Sequence, residues 1–162
     1  MANFNDAIVK TLAREGGAKF TDVPGDKGGA TKYGISQKAY PGLDIRNLTE
    51  QQARDIYKRD YWDRIGGDTI RSQLVAENIF DTAVNMGVRT ASKLAQLCID
   101  VSPADGVIGS TSVDAINAVD EHQFLAAYTI TKIARYADIC NKDKSQSKFL
   151  LGWINRTLGA TA

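Results

Sequence analysis

The stretch "IRSQLVAENIFDTAVNMG" constrains the fold more than any other part of the chain. Leu74, Val75, Ile79, Ala83 and Met86 recur at helical spacing, and Gly87 supplies the stop. A helix this apolar must be covered by other elements, so it predicts a core post on which the rest packs. The flanking patterns are helical as well. "LTEQQARDIYKRDYWDRI" opens with a capping box, Thr49 followed by Gln52, and carries Ala53, Ile56, Tyr57 and Tyr61 on its inner face. "RTASKLAQLCIDV" continues as a helix, and "SPADGVIGSTSVDAINAV" is a Gly-punctuated turn leading to a short helix capped by Ser110 or Thr111. "EHQFLAAYTITKIARYADIC" is long and amphipathic, and "SKFLLGWINRTL" closes the chain. Only Phe20 to Ser36 departs from this pattern. There Gly, Asp, Thr and Lys replace the aliphatics, which fits a β-hairpin or irregular ribbon. The expected fold is mainly α, with a small β-hairpin after the first helix, and 162 residues suffice for one compact domain, 1–162.

The charge balance narrows the function. Twenty basic residues against 19 acidic ones give a net charge of +1, too even for a dedicated nucleic-acid binder, which concentrates Lys and Arg against phosphates. Met1 to Gly17 contains Asp6 and Arg14 and lacks the apolar run of a secretory signal, and no membrane-spanning stretch follows. Synthesis in the cytoplasm without a signal peptide is the expectation. Cys98 and Cys140 lie among aliphatic neighbours and read as buried free thiols. His122, the only histidine, has no visible partners for a triad or a zinc site. Neither a metal nor an organic cofactor is expected.

One residue is out of place. Phe4, Ile8 and Leu12 mark a short amphipathic helix that Gly16 and Gly17 stop, leaving Glu15 in its last turn. A helix C-terminus carries about half a negative charge, so Lys or Arg is the usual occupant. The negative end and the apolar neighbours both disfavour a charged carboxylate. A carboxylic acid that keeps its proton is what a general acid requires. Eleven positions on comes Asp26, with Thr31 five further, and Asp22 offers another carboxylate. An acid at a helix end facing a hairpin that carries Asp and Thr meets the two-carboxylate requirement of glycoside hydrolysis. Gly28, Gly29 and Gly34 let such a ribbon turn tightly and let a sugar approach its backbone.

"EGG" followed by Asp26, Gly28, Gly29, Thr31, Gly34, Ile35 and Ser36 resembles the opening motif of the glycoside hydrolase family 108 N-acetylmuramidases of phage endolysins. "LTEQQARDIYKRDYWD", "FDTAVNMG", "DGVIGSTSVDAI" and "GWINR" are similar, in order, to later family blocks, the last two in its peptidoglycan-binding C-terminal part. The resemblance implies a lysozyme-like helical fold, a catalytic part at about 1–88 and a C-terminal part at about 89–162. It implies cleavage of the β-1,4 bond between N-acetylmuramic acid and N-acetylglucosamine, with Glu15 as the acid and peptidoglycan as the partner. Asp26 and Thr31 are the implied supporting pair. The spacing differs from that of phage-type lysozymes, and Asp22 can take the Asp role instead. The same fold without turnover, as a peptidoglycan-binding or toxin-secretion accessory protein, is the alternative.

Further contacts are assigned to side-chain chemistry. Tyr61 or Trp62 is expected to stack on a sugar ring, with Tyr57 inside, and Tyr33 to line the groove from the ribbon. Asn85, just before Gly87, can hydrogen-bond an acetamido group, whereas Asp105 and Gly106 shape a turn. From Thr129 onward, Lys132, Arg135, Lys142, Lys144, Lys148 and Arg156 face only Asp138 and Asp143, a basic segment suited to anionic lipopolysaccharide. A monomer released to the periplasm through a holin pore completes the expectation.

Overall fold

Helix α1 (Phe4–Arg14) begins where the Asn3 side chain accepts a hydrogen bond from the Asn5 N–H, and it buries Phe4, Ala7, Ile8, Thr11 and Leu12 along one stripe. The computed structural model of the chain describes residues 1–22 and 28–159, and its packing defines two compact units. The first is Asn3–Asp60. The second is Tyr61–Ala162 together with Met1 and Ala2.

In the first unit, α1 is followed by a two-stranded antiparallel hairpin, β1 (Thr31–Lys32) and β2 (Ile35–Ser36). Helix α2 (Glu50–Tyr57) then starts at Thr49. Its hydroxyl accepts from the Gln52 N–H at 3.2 Å, and the Gln52 side chain accepts from the Thr49 N–H at 2.9 Å, so the expected capping box is formed. Ile35, Ile45, Leu48, Ala53, Ile56 and Tyr57 are buried in this unit.

The chain leaves α2 through a π-helical turn, Lys58–Trp62, and two 3-10 turns, Asp63–Ile65 and Gly67–Thr69. Helix α3 (Gln73–Met86) is capped by Ser72, whose hydroxyl accepts from Val75 N–H at 3.1 Å, and ends at Gly87 with φ +87°. It packs against α4 (Val88–Cys98) and the long α6 (Glu121–Lys142). Helix α5 (Ser110–Ala118) precedes α6, and a 3-10 segment, Lys144–Phe149, leads into α7 (Leu150–Gly159), which packs on α6. The fold is therefore mainly α with one small hairpin after the first helix.

The core post is more polar than its apolar stripe predicts. Leu74 is 38% exposed, whereas Asn78, Asp81 and Thr82 are buried. Buried polar groups need partners, and each of these has one. Thr82 Oγ1 donates to Asn78 O at 2.7 Å, Lys132 Nζ donates to Asn78 Oδ1 at 3.2 Å, and the Arg156 guanidinium donates to both oxygens of Asp81 at 3.0 and 3.3 Å. Two of the six basic residues of the C-terminal segment are thus spent inside the fold, which leaves Arg135, Lys142, Lys144 and Lys148 facing outward.

Candidate active site

The Gly16-Gly17 stop determines where Glu15 points. Arg14 is the last helical residue, and Glu15 is the C-cap, with its N–H still donating to Thr11 O at 2.9 Å. Gly16 and Gly17 take φ +87° and +57°, and the Gly17 N–H reaches back to Leu12 O at 2.9 Å, the six-to-one bond of a Schellman cap. The half-buried Glu15 side chain therefore leaves the helix at its carbonyl end.

The hairpin comes to that carboxyl-bearing side chain. Thr31 pairs with Ser36 and Lys32 with Ile35, so the loop is the dipeptide Tyr33-Gly34. Both residues are left-handed, φ +53° and +74°, as a type I′ turn demands. Glycine adopts this freely, but a tyrosine there is an outlier that its surroundings must enforce. Two hydrogen bonds do so. The Tyr33 N–H donates to Gly17 O at 3.0 Å, and the Tyr57 hydroxyl donates to Tyr33 O at 2.9 Å. A Cβ built on Gly34 would lie 2.8 Å from Glu15 Cβ and 2.6 Å from the Tyr57 hydroxyl. The turn thus rests directly on Glu15, and no residue with a side chain fits between them.

Thr31 lies at the other end of β1. It forms an antiparallel bridge with Thr21, N–H to carbonyl at 2.8 and 2.9 Å, and its hydroxyl donates to Gly29 O at 3.2 Å. Asp22, next to that bridge, is exposed. Asp26 lies outside the described residues. Glu15, Tyr33, Gly34 and Tyr57 are gathered around the turn. The part of Tyr57 was not read from the sequence beyond its burial, and the available signal was a tyrosine rather than a phenylalanine at an inward position.

The aromatic expectation divides. Trp62 is 0% exposed, donates from Nε1 to Asp68 Oδ1 at 2.7 Å, and sets its ring edge-on to Phe80 with centroids 5.5 Å apart. The Gly67 backbone lies against its indole so closely that an added Cβ would collide with the ring. Trp62 is a structural anchor with no face open to a sugar. Tyr33 is only 8% exposed, its backbone engaged in the turn, while Tyr61 is half-buried and Asn85 is exposed in the last turn of α3. Asp105 and Gly106 belong to a turn organised by buried Gln96. Its amide donates to Asp105 Oδ1 at 3.0 Å, to Val107 O at 3.0 Å and to Ser112 Oγ at 3.1 Å, and accepts from Gly106 N–H at 2.8 Å. The Gln96 amide and the Val107 N–H hold the Asp105 carboxyl below the usual carboxylate range. Burial pushes the Cys98 thiol up to about 12, and Cys98 and Cys140 are both free.

The structure thus places a half-buried carboxyl-bearing side chain at a helix end, against a hairpin turn. The chain carries a glycoside hydrolase domain. Residues 8–87 match the family model Glycosyl hydrolase 108, and residues 83–158 match the family model Predicted Peptidoglycan domain. Among solved structures, SagA of Brucella abortus is similar, with 26% identity, a TM-score of 0.72, and 98% of this chain and 95% of that chain covered. No curated protein matches. Peptidoglycan is accordingly the material on which the chain acts, which makes its role cell-wall-directed. Among the described residues no helix is long and apolar enough to cross a membrane.

Proposed function

We propose that the chain is an N-acetylmuramidase that cleaves the β-1,4 bond between N-acetylmuramic acid and N-acetylglucosamine, and that it serves as a phage endolysin. The observation that carries this reading is Glu15 at the C-cap of α1, held against the left-handed Tyr33-Gly34 turn. Glu15 protonates the leaving glycosidic oxygen. A carboxylate from the ribbon, Asp22 or Asp26, either steers water to the opposite face or attacks the anomeric carbon. Separations of about 6.5–9.5 Å go with inversion and about 5–5.5 Å with retention. Thr31, fixed by its bridge to Thr21, supports the reacting water or sugar. Tyr61 contacts the glycan, and Asn85 holds an acetamido group of the wall other than one at the bond being cut.

The lysozyme-like helical fold and the peptidoglycan domain support the same reading. As an endolysin the chain acts as a monomer after holin release, and Lys142, Lys144 and Lys148 draw it to anionic lipopolysaccharide. Reversing those three charges is expected to reduce wall and outer-membrane binding at low salt, and unchanged binding removes that part of the proposal.

The test compares wild type with Glu15→Gln on purified peptidoglycan, with thermal melts as folding controls and mass spectrometry of the products. Wild type is expected to release fragments with new reducing N-acetylmuramic acid ends, and folded Glu15→Gln to lose nearly all turnover. Equal activity would place the acid elsewhere. Wall binding by both without turnover would make the chain a binding protein of this fold.

A further inference from the structure

Helices α3, α4, α6 and α7 converge on a cavity of about 220 Å³ lined by Asn85, Met86, Thr90, Arg135, Tyr136, Ile139 and Trp153. Nothing lies within 4 Å of a Cβ built on Gly87, so the α3–α4 corner beside it is open. One wall is aromatic. Tyr136 and Trp153 stack with centroids 5.2 Å apart at 24°, and the Tyr136 hydroxyl is engaged by Thr157 and by the Asn85 side chain. Such a wall suits the apolar face of a pyranose or a peptide methyl group, and an exposed amide at its rim suits an N-acyl group.

The rim also has a charge preference. Among the described lining residues Arg135 alone is ionised, and its side chain is 41% exposed. It spends one nitrogen on Asp138 at 3.2 Å, but Asp138 also receives Lys142 Nζ at 2.9 Å. A guanidinium has five donors, and Asp138 keeps a partner if Arg135 turns. A carboxylate can therefore dock on Arg135 without stranding an acid.

The geometry points to a second binding site on this unit, distinct from the Glu15 turn, that takes an acidic, N-acylated muropeptide, with Arg135 on its carboxylate, Asn85 on an amide and Trp153 against its apolar face. Every lining residue falls within 83–158, the span matching the peptidoglycan domain, and the inference rests on the reading of peptidoglycan as substrate. The site would hold the enzyme on the wall between cleavages.

The experiment titrates the full Glu15→Gln chain with a soluble disaccharide–tripeptide muropeptide, with neutral N-acetylglucosamine trimer in parallel, following tryptophan emission. Trp62 is fully buried, so a ligand-dependent change reports Trp153. The expected result is a saturable shift with muropeptide. Arg135→Gln should weaken that binding at least tenfold and leave the trimer's unchanged, and Asn85→Ala should weaken both. Both sites are exposed, so melts should match the parent. If wild type cuts peptidoglycan but muropeptide leaves the emission unmoved, or shifts it equally well in Arg135→Gln, the site is refuted while the function stands. If wild type neither cuts nor binds, both readings fall together.

Discussion

Replacing Gly34 by alanine tests whether the hairpin turn really holds Glu15. Two costs arise at this position. A left-handed alanine costs about 1–2 kcal/mol relative to glycine's freedom. The added methyl would also meet Glu15 Cβ at 2.8 Å and the Tyr57 hydroxyl at 2.6 Å, closer than packed carbons tolerate. Relieving such overpacking costs typically about 1–3 kcal/mol. Gly29 separates the two contributions. It has φ +67°, but its nearest neighbour to a built Cβ is Gln37 Cβ at 3.6 Å, an ordinary contact. Gly29→Ala is thus expected to lose only the backbone part, and Gly34→Ala about 1–3 kcal/mol more. At about 2–4 °C per kcal/mol for a chain of this size, the gap between the two melting points is about 2–12 °C. Turnover should separate them further, because the clash is relieved by moving Glu15, and a displacement of about 1 Å in a reacting group costs about 100-fold. Thermal unfolding by circular dichroism and fragment release from purified peptidoglycan measure the two effects. If Gly34→Ala and Gly29→Ala melt together and cut the wall equally well, the turn does not position Glu15 and the site must be redrawn.

Trp62→Ala should cost about 3–5 kcal/mol in a denaturant melt, since it empties a fully buried site and removes the indole hydrogen bond to Asp68, whereas a surface stacking residue would cost little stability. Asp105 gives a pH signature. Its folded carboxyl is held low by Gln96 and Val107, so its contribution is fully present above its unfolded value of about 3.9 and is lost as pH falls through the folded value. Between pH 5 and pH 2, Asp105→Asn should therefore lose less melting temperature than wild type, and parallel curves would count against the Gln96-centred turn. With its thiol pushed up to about 12, Cys98 should resist alkylation by iodoacetamide at pH 8 until denaturant is added, as mass spectrometry of the intact chain would report.

Local signals were the legible ones. The Gly16-Gly17 stop, the Thr49–Gln52 box and the Gly87 terminus each act within a few residues, and each is where the sequence placed it. Glu15 stood out for the same reason, as an acid at the wrong end of a helix. Trp62 was misread because the pattern assumed 3.6 residues per turn. Lys58–Trp62 is a π turn with bonds spanning five residues, which carries inward character from Tyr57 to Trp62 instead of to Tyr61. The basic C-terminal segment was overcounted because charge is visible in a sequence and its partner is not. Lys132 and Arg156 answer Asn78 and Asp81, buried 54 and 75 residues earlier. The contact of Gly34 with Glu15 depends on a chain reversal that composition can permit but cannot locate.

Helix α3 belongs to two accounts of the chain at once. By family it closes the hydrolase match at residue 87, yet it packs with α4 and α6, and the compact units divide at Asp60 and Tyr61. A gene fusion that joined a foreign wall-binding module after residue 87 would keep every residue of the hydrolase signature and still leave Asn78 and Asp81 without Lys132 and Arg156. Exchange of parts between such enzymes is therefore constrained by the helix they share, and α3 has to be inherited with the partners that answer its buried amide and carboxylate.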